Sequence, residues 1–285
     1  MAKIIDGKAV SEQIREALKK KIETLRGRYG NSPGLAVVLV GDNPASQIYI
    51  QNKRKACEYV GIRSYYHHLD AHTPQEKLLD LIHKFNQDPQ IHGILVQLPL
   101  PKHISEEKIL TSILPEKDID GFHPLNVGKL VSNTPGLRPC TPAGIIELLD
   151  YYNIPIEGRH AVVVGRSNIV GKPLALMLLH RHATVTICHS RTLSLSSHTR
   201  QADILVAAIG KPQFIRGDMV KENAVVVDVG INRVDGKLVG DVDFESVAPK
   251  AAAITPVPGG VGPMTIIRLL ENTVQAFESL ITPNP

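Results

Sequence analysis

Tryptophan is absent from this chain, and all aromatic residues together make up 4% of its 285 positions. Proteins that hold single-stranded nucleic acid stack the bases on aromatic side chains, so that class is set aside. Charge of one sign is also in short supply. Lys and Arg number 32 against 28 Asp and Glu, a formal net charge of +4, which is no footprint for a polyanion. The basic run Lys19-Lys20-Lys21 follows a helical pattern and reads as a solvated face. Cysteine is scarce. Cys57, Cys140 and Cys188 are unclustered, which argues against a disulfide framework or a zinc site and suits a reducing compartment. The 12 histidines are scattered without ligand-like spacing, so no metal is expected. No apolar run approaches the roughly 20 residues that span a bilayer, and the segment 1–10 lacks the apolar stretch of a signal peptide. The expectation is a cytoplasmic protein with neither a membrane nor a nucleic-acid partner.

What is present is ordinary globular material: 43% hydrophobic and 21% charged residues. The length suggests two domains. Apolar runs at 35–40, 63–69 and 91–98 read as strands, and segments 9–25, 44–60 and 74–85 carry helical periodicity. Asn43 and Pro44 provide a helix cap and a first-turn proline. Such alternation predicts a parallel sheet. Residues 115–141 are rich in proline and read as a loop between domains. A second series of strands follows at 161–164, 184–188, 203–209, 224–229 and near 251–255. The chain closes on an amphipathic helix expected to pack back on the first domain. The fold class is therefore α/β, with residues 1–140 plus about 262–285 forming one parallel-sheet domain and 141–261 the other.

The stretch His160–Arg191 reads as strand, glycine turn, helix, strand. This is the βαβ unit in which a pyrophosphate sits on a helix N-terminus, and it makes the second domain Rossmann-like. The turn Gly165-Arg-Ser-Asn-Ile-Val-Gly171 has Ser167 where a second glycine is usual, so an ordinary βα turn stays open as the alternative. An NAD site wants an acid at the end of the second strand for the ribose 2′-hydroxyl. That strand here ends Cys188-His-Ser190-Arg191. A hydroxyl and a cation suit a 2′-phosphate instead, which points to NADP.

Four further features could carry chemistry. Tyr49 and Lys53 stand at i and i+4 and share a helix face. A desolvated amine there can work as an acid or base near neutral pH; a surface Tyr–Lys pair has the same spacing. Gln97 closes a strand just before Pro99 and is either a ligand contact or a solvated strand end. Asp120 lies in Asp118-Ile-Asp120-Gly121 and is either a turn former or an acceptor for paired N–H donors. The segment Val257–Pro263 crowds glycine and proline into a rigid loop with little side-chain bulk, fit for close backbone approach to a flat ligand or simply for a tight turn.

Taken together, YIQNK at 49–53, VQLPLP at 96–101, KDIDGFHP at 117–124, RPCTP at 138–142, GRSNIVGKP at 165–173 and PGGVGPMT at 258–265 resemble the bifunctional methylenetetrahydrofolate dehydrogenase/methenyltetrahydrofolate cyclohydrolase family. The resemblance spans about residues 3–280 with the motifs in the family's order. It implies oxidation of 5,10-methylenetetrahydrofolate with NADP and hydrolysis of the methenyl product to 10-formyltetrahydrofolate. It implies that Lys53 is the essential group for hydrolysis, tuned by Gln97, with Tyr49 lining the folate site and Asp120 holding the pterin. Val96, Leu98, Pro258, Gly259, Gly260, Val261, Gly262, Pro263 and Thr265 would complete the substrate site. Gly165, Arg166, Ser167, Ser190, Arg191 and Ile231 would contact the nucleotide. A homodimer built through the second domain is implied as well. Two departures touch none of the residues given a role: Ile119 stands where valine is common, and 193–197 is serine-rich where acids are frequent. A dehydrogenase-only relative and a non-catalytic NADP-binding protein remain the alternatives.

Overall fold

Runs of apolar residues flanked by amphipathic helices fold here into two parallel α/β units, and the computed structural model describes residues 2–281. The first unit comprises Gln13–Cys140 and the chain from Ile266 onward. The second comprises the N-terminal segment through Glu12 and Thr141–Thr265.

The chain opens with β1 (Lys3–Ile4) and α1 (Gly7–Tyr29). Val10, Leu18, Ile22 and Leu25 form the buried stripe of α1. The helix runs past residue 25, where the periodicity stops, and Gly27 does not end it. That glycine costs about 1 kcal/mol relative to alanine, and the helix runs on to Gly30, whose φ of +68° stops it. β2 (Gly34–Val40) follows and is buried along its whole length, as a central strand covered on both faces must be. Next come α2 (Pro44–Val60), β3 (Arg63–Leu69), α3 (Gln75–Gln87), β4 (Gly93–Val96) and α4 (Glu106–Ser112). Asn43 caps α2 as expected, its Oδ1 accepting from Ser46 N at 3.2 Å. The stretch read as loop contains one helix, α5 (Pro124–Val131), capped by His123.

The three strands of the first unit lie parallel in the order β3-β2-β4. The chain moves from β2 to one side and returns to the other, so the sheet reverses between β2 and β4. Ligands of open α/β sheets bind at such a point, beyond the carboxyl ends of the strands.

The second unit continues with α6 (Cys140–Tyr151), β5 (His160–Val164), α7 (Gly171–His180), β6 (Thr184–Cys188), α8 (Leu195–Thr199), β7 (Ile204–Ala207), β8 (Val225–Asp228), the hairpin β9 (Asn232–Val234) and β10 (Lys237–Val239), α9 (Phe244–Val247) and β11 (Ala253–Ile254). The division falls at Cys140, so the first residue of α6 counts with the first unit. The sheet order is β1-β11-β8-β7-β5-β6, every neighbour parallel. Its reversal lies between β5 and β7. The N-terminal strand β1, expected in the first domain, pairs here instead with the edge of β11 that β8 leaves open. The hairpin was not expected; its strands are three residues each, too short for an alternation signal.

The last helix, α10 (Val261–Ile281), begins inside the glycine-rich loop. Its residues Ile267, Leu269, Leu270, Val274 and Phe277 are buried. From Ile266 onward it belongs to the first unit. There Phe277 meets the His92 ring edge-on, with centroids 4.8 Å apart. Truncating such a core phenylalanine costs about 3–5 kcal/mol.

Candidate active site

In the first unit the polar residues gather where the sheet reverses. α2 springs from the end of β2, and Gln97 follows the last residue of β4. Helix periodicity puts Lys53 on the inner face of α2, one turn after the half-buried Tyr49. Lys53 is 8% exposed. Its Nζ donates to Gln97 Oε1 at 3.1 Å. Gln97 is itself fixed: its backbone N donates to Val38 O, and its Nε2 to Leu98 O at 2.9 Å. The amide oxygen is thereby turned toward the amine.

Burial pushes the Lys53 pKa below the ordinary lysine value, and the nearby Asp120 carboxylate opposes that shift. The same proximity acts on Asp120. Its residue keeps some exposed surface, yet its carboxyl is enclosed. Burial raises its pKa to about 7, with Lys53 pulling it down and Asp118 pushing it up. Tyr49 is raised by burial too. A buried amine with a lowered pKa beside a carboxylate of raised pKa can exchange protons near neutrality.

The Asp120 turn is built from both of its sides. Asp118, 1% exposed, accepts from His123 N at 2.8 Å and from Asn126 Nδ2 at 2.9 Å. Asn272 of α10 donates from Nδ2 to Ile119 O at 2.7 Å and to Arg138 O at 2.8 Å. A Cβ on Gly121 would stand 2.7 Å from both Arg138 C and Pro139 N, so the turn closes only without a side chain there. Asn272 escaped the sequence reading. Its one signal was an amide on the buried stripe of an apolar helix. Val96 is 1% exposed and packs in the core between sheet and helices, which leaves only its backbone to meet a ligand. Leu98 is half-buried beside it.

In the second unit the glycine turn lies at the β5/β7 reversal. Gly165 has φ +136°, and a Cβ on it would meet Ala208 O at 2.2 Å. The next turn is as tight: a Cβ on Gly171 would lie 2.2 Å from Gly165 O. Arg166 and Ser167 are exposed. Ser167 does more than cover the turn. Its Oγ accepts from Val170 N at 3.1 Å and from Gly171 N at 3.3 Å, taking up free amides at the start of α7 and leaving its own O–H to donate. After β6 a small turn is pinned by Thr192 Oγ1 accepting from His189 N and by His189 Nδ1 accepting from Arg191 N. It presents Ser190 and Arg191 to solvent. Ile231 is 45% exposed and borders the glycine-rich loop; a Cβ on Gly262 would be 3.8 Å from Ile231 Cδ1. That loop groups with this unit through Thr265. Lys8 N donates to Gly259 O at 2.9 Å, and the Thr265 and Thr141 hydroxyls lie 2.9 Å apart. Among the described residues, no group of His, Cys, Asp and Glu could hold a metal ion. No described helix is long and apolar enough to cross a membrane.

A buried amine centre at one sheet reversal and a glycine turn at the other define a two-domain α/β enzyme of the dinucleotide-binding class. Comparison with known proteins gives the family. Residues 5–120 match the tetrahydrofolate dehydrogenase/cyclohydrolase catalytic domain, and residues 139–281 match the NAD(P)-binding domain of the same family. The chain is 61% identical to "Bifunctional protein FolD" of Moorella thermoacetica over 276 residues, covering 96% of this chain and 98% of the relative. Among solved structures, the bifunctional FolD methylenetetrahydrofolate dehydrogenase/cyclohydrolase of Campylobacter jejuni superposes with a TM-score of 0.96 at 54% identity, covering 98% and 99% of the two chains. The Trypanosoma brucei enzyme, solved with NADP cofactor and an inhibitor, gives 0.95 at 40% identity, covering 98% of each chain. The chain belongs to the tetrahydrofolate dehydrogenase/cyclohydrolase family.

Proposed function

We propose that this protein oxidises 5,10-methylenetetrahydrofolate to the 5,10-methenyl form with NADP and hydrolyses that product to 10-formyltetrahydrofolate. The observation that carries the reading is the buried Lys53 amine held by Gln97 within reach of the Asp120 charge.

The nucleotide turn fits NADP. Gly165 against Ala208 and Gly171 against Gly165 leave a flat surface free of side chains, and the end of β6 offers Ser190 and Arg191 with no acid to repel a 2′-phosphate. NADP supplies the acceptor for the hydride that leaves the methylene carbon. The protein's part in that step is alignment, because the two flanking nitrogens of the substrate stabilise the cation that forms. This agrees with a site that has no His–Asp relay among the residues singled out. Arg166, Ser167 and Ile231 would complete the nucleotide contacts. Tyr49 would line the folate site and the two oxygens of Asp120 would accept from paired pterin N–H groups. The Pro258–Thr265 loop would lie against the folate by its backbone.

Hydrolysis needs proton transfer. Water adds to the methenyl carbon and loses one proton to a base; the hydroxyl proton of the adduct is then given up as the C–N bond opens, and the released nitrogen gains a proton. Neutral Lys53 takes the first of these protons, and burial favours its neutral form. The cationic substrate favours that form further by like-charge repulsion. Gln97 fixes the direction of the amine.

The assembly we propose is a homodimer through the second unit. β6 is an edge strand, and Leu179, Ile187 and Leu193 on or beside it are 54%, 41% and 85% exposed, a combination natural proteins cover. Sedimentation equilibrium reads the mass directly.

The test follows two signals after mixing protein, methylenetetrahydrofolate and NADP: NADPH formation and methenyl absorbance. Both reactions are expected with wild type. Lys53→Met should leave methenyltetrahydrofolate unhydrolysed above the uncatalysed rate. Absence of NADPH formation by wild type refutes the oxidation, and wild-type hydrolysis by Lys53→Met refutes the role of the amine.

A further inference from the structure

Two carboxylates that the reaction above does not use lie buried among the loops beyond the carboxyl ends of β7 and β8. Asp228 ends β8 and is 4% exposed; Asp241, just past β10, is 0% exposed. Neither has a cationic partner in its hydrogen bonds. Asp228 Oδ1 accepts from Gly230 N and Asp241 N, and its Oδ2 from Val242 N, each at 2.9 Å. Asp241 Oδ2 accepts from Ile209 N at 2.7 Å and Gly210 N at 2.9 Å, and its Oδ1 from Asn232 Nδ2 at 2.9 Å. The approach is close enough that a Cβ on Gly240 would fall 1.8 Å from Asp228 Oδ2. Burial, and the neighbouring Asp241, raise the Asp228 pKa to about 6 against the pull of those N–H donors. Setting two carboxylates side by side out of water is a costly way to tie loops.

The three loops they tie all stand beyond the carboxyl ends of β7 and β8. The segment after β7 contributes Ile209 and Gly210, and the residue before them, Ala208, puts its carbonyl against Gly165. The segment after β8 contributes Gly230, which precedes Ile231, and Asn232, which follows it. The third segment carries Asp241 itself. We infer that Asp241 is a positioning residue of the nucleotide site: it fixes the Ala208–Gly210 wall against the Gly165 turn and, through Asn232, sets Ile231. The inference rests on the reading of this turn as the NADP site. Asp241 touches neither substrate nor cofactor in this account and acts only through the loops.

The experiment titrates full-length protein with NADPH, following its fluorescence, and measures methenyltetrahydrofolate hydrolysis with no nucleotide present. Asp241→Ala strips the acceptor from three donors at once and should weaken NADPH binding about tenfold or more. Hydrolysis should stay within about threefold, because Lys53 and its partners lie in the other unit. Asp241→Asn should restore most of the affinity: its amide oxygen can serve Ile209 and Gly210 while its NH₂ donates to Asn232 turned about its amide. Should Asp241→Ala not fold, Asn232→Ala decides, with weakening of about threefold expected from the loss of one bond. Unchanged NADPH affinity in these variants overturns the inference. Equal loss of affinity and hydrolysis, which marks general destabilisation, overturns it too. Failure of the wild type to bind NADPH would instead sink the reading of the site itself.

Discussion

Replacing Asn272 by leucine tests how the Asp120 turn is held. Leucine keeps the branching of asparagine but is bulkier, so the change removes hydrogen bonds and opens no cavity. Asn272 is 1% exposed, and its Nδ2 serves Ile119 O and Arg138 O at 2.7 and 2.8 Å. Leaving a buried acceptor without a donor costs about 1–3 kcal/mol. Arg138 O would bear most of that; Ile119 O would keep the weak Cys140 S–H donor at 3.3 Å. The added apolar contact of leucine offsets a fraction, so the net expectation is a loss of about 1–3 kcal/mol. Because Ile119 adjoins Asp120, the turn should relax and methenyltetrahydrofolate hydrolysis should fall by about fivefold or more. A shift of even 1 Å in a catalytic group has costs of that order or larger. Urea denaturation followed by circular dichroism gives the first quantity and steady-state hydrolysis the second. NADPH binding serves as the reference, since α10 beyond Thr265 belongs to the unit without the glycine turn. A stability change within about 0.5 kcal/mol together with unaltered hydrolysis would refute the reasoning.

Other expectations concern charge. The proposed role of Lys53 requires it neutral, so the hydrolysis rate should fall as pH drops through the Lys53 pKa; Asp120 raises that pKa, and Asp120→Asn should therefore move the acidic limb of the pH profile to lower pH, with an unmoved limb counting against the assignment. His92 is 2% exposed and its Nδ1 accepts from Gly34 N at 3.0 Å, a bond that a proton on Nδ1 abolishes. Burial depresses its pKa from 6.5 to about 4. A depressed histidine binds fewer protons folded than unfolded, so its contribution is complete above pH 6.5 and is lost as pH falls toward 4. At 1.36 kcal/mol per pKa unit that is about 3 kcal/mol; His92→Gln should flatten the stability curve between those limits, and an unchanged slope would contradict this. Arg191→Glu places an acid where the 2′-phosphate is proposed to sit. It should raise KM for NADP by about tenfold or more while favouring NAD, and an unaltered NADP/NAD ratio measured by NADPH and NADH formation would discount Arg191.

The local code of this chain is strong, and it decided much. The β2 run, the Asn43–Pro44 start of α2 and the strand–glycine–helix of the nucleotide turn are set by residues within a few positions of one another: apolar runs that must be covered, a side chain that caps, a glycine that permits the close approach. Lys53 and Asp120 could be singled out because amines and carboxylates are conspicuous, and six short motifs in one order named the family. What those residues meet was decided only by the tertiary structure. Lys53 is buried, which lowers its pKa, and its amine meets Gln97, which arrives from just past β4, 44 positions away. Strand β1 joins the sheet of the second unit because β11 pairs with it across some 250 positions, which no local pattern encodes. Asn272 holds Ile119 over 153 positions, and Asp241 holds Ile209 over 32. Hydrogen bonds that orient a site are satisfied by whichever polar group the packing delivers, so sequence marks the groups that do chemistry far more plainly than those that hold them in place.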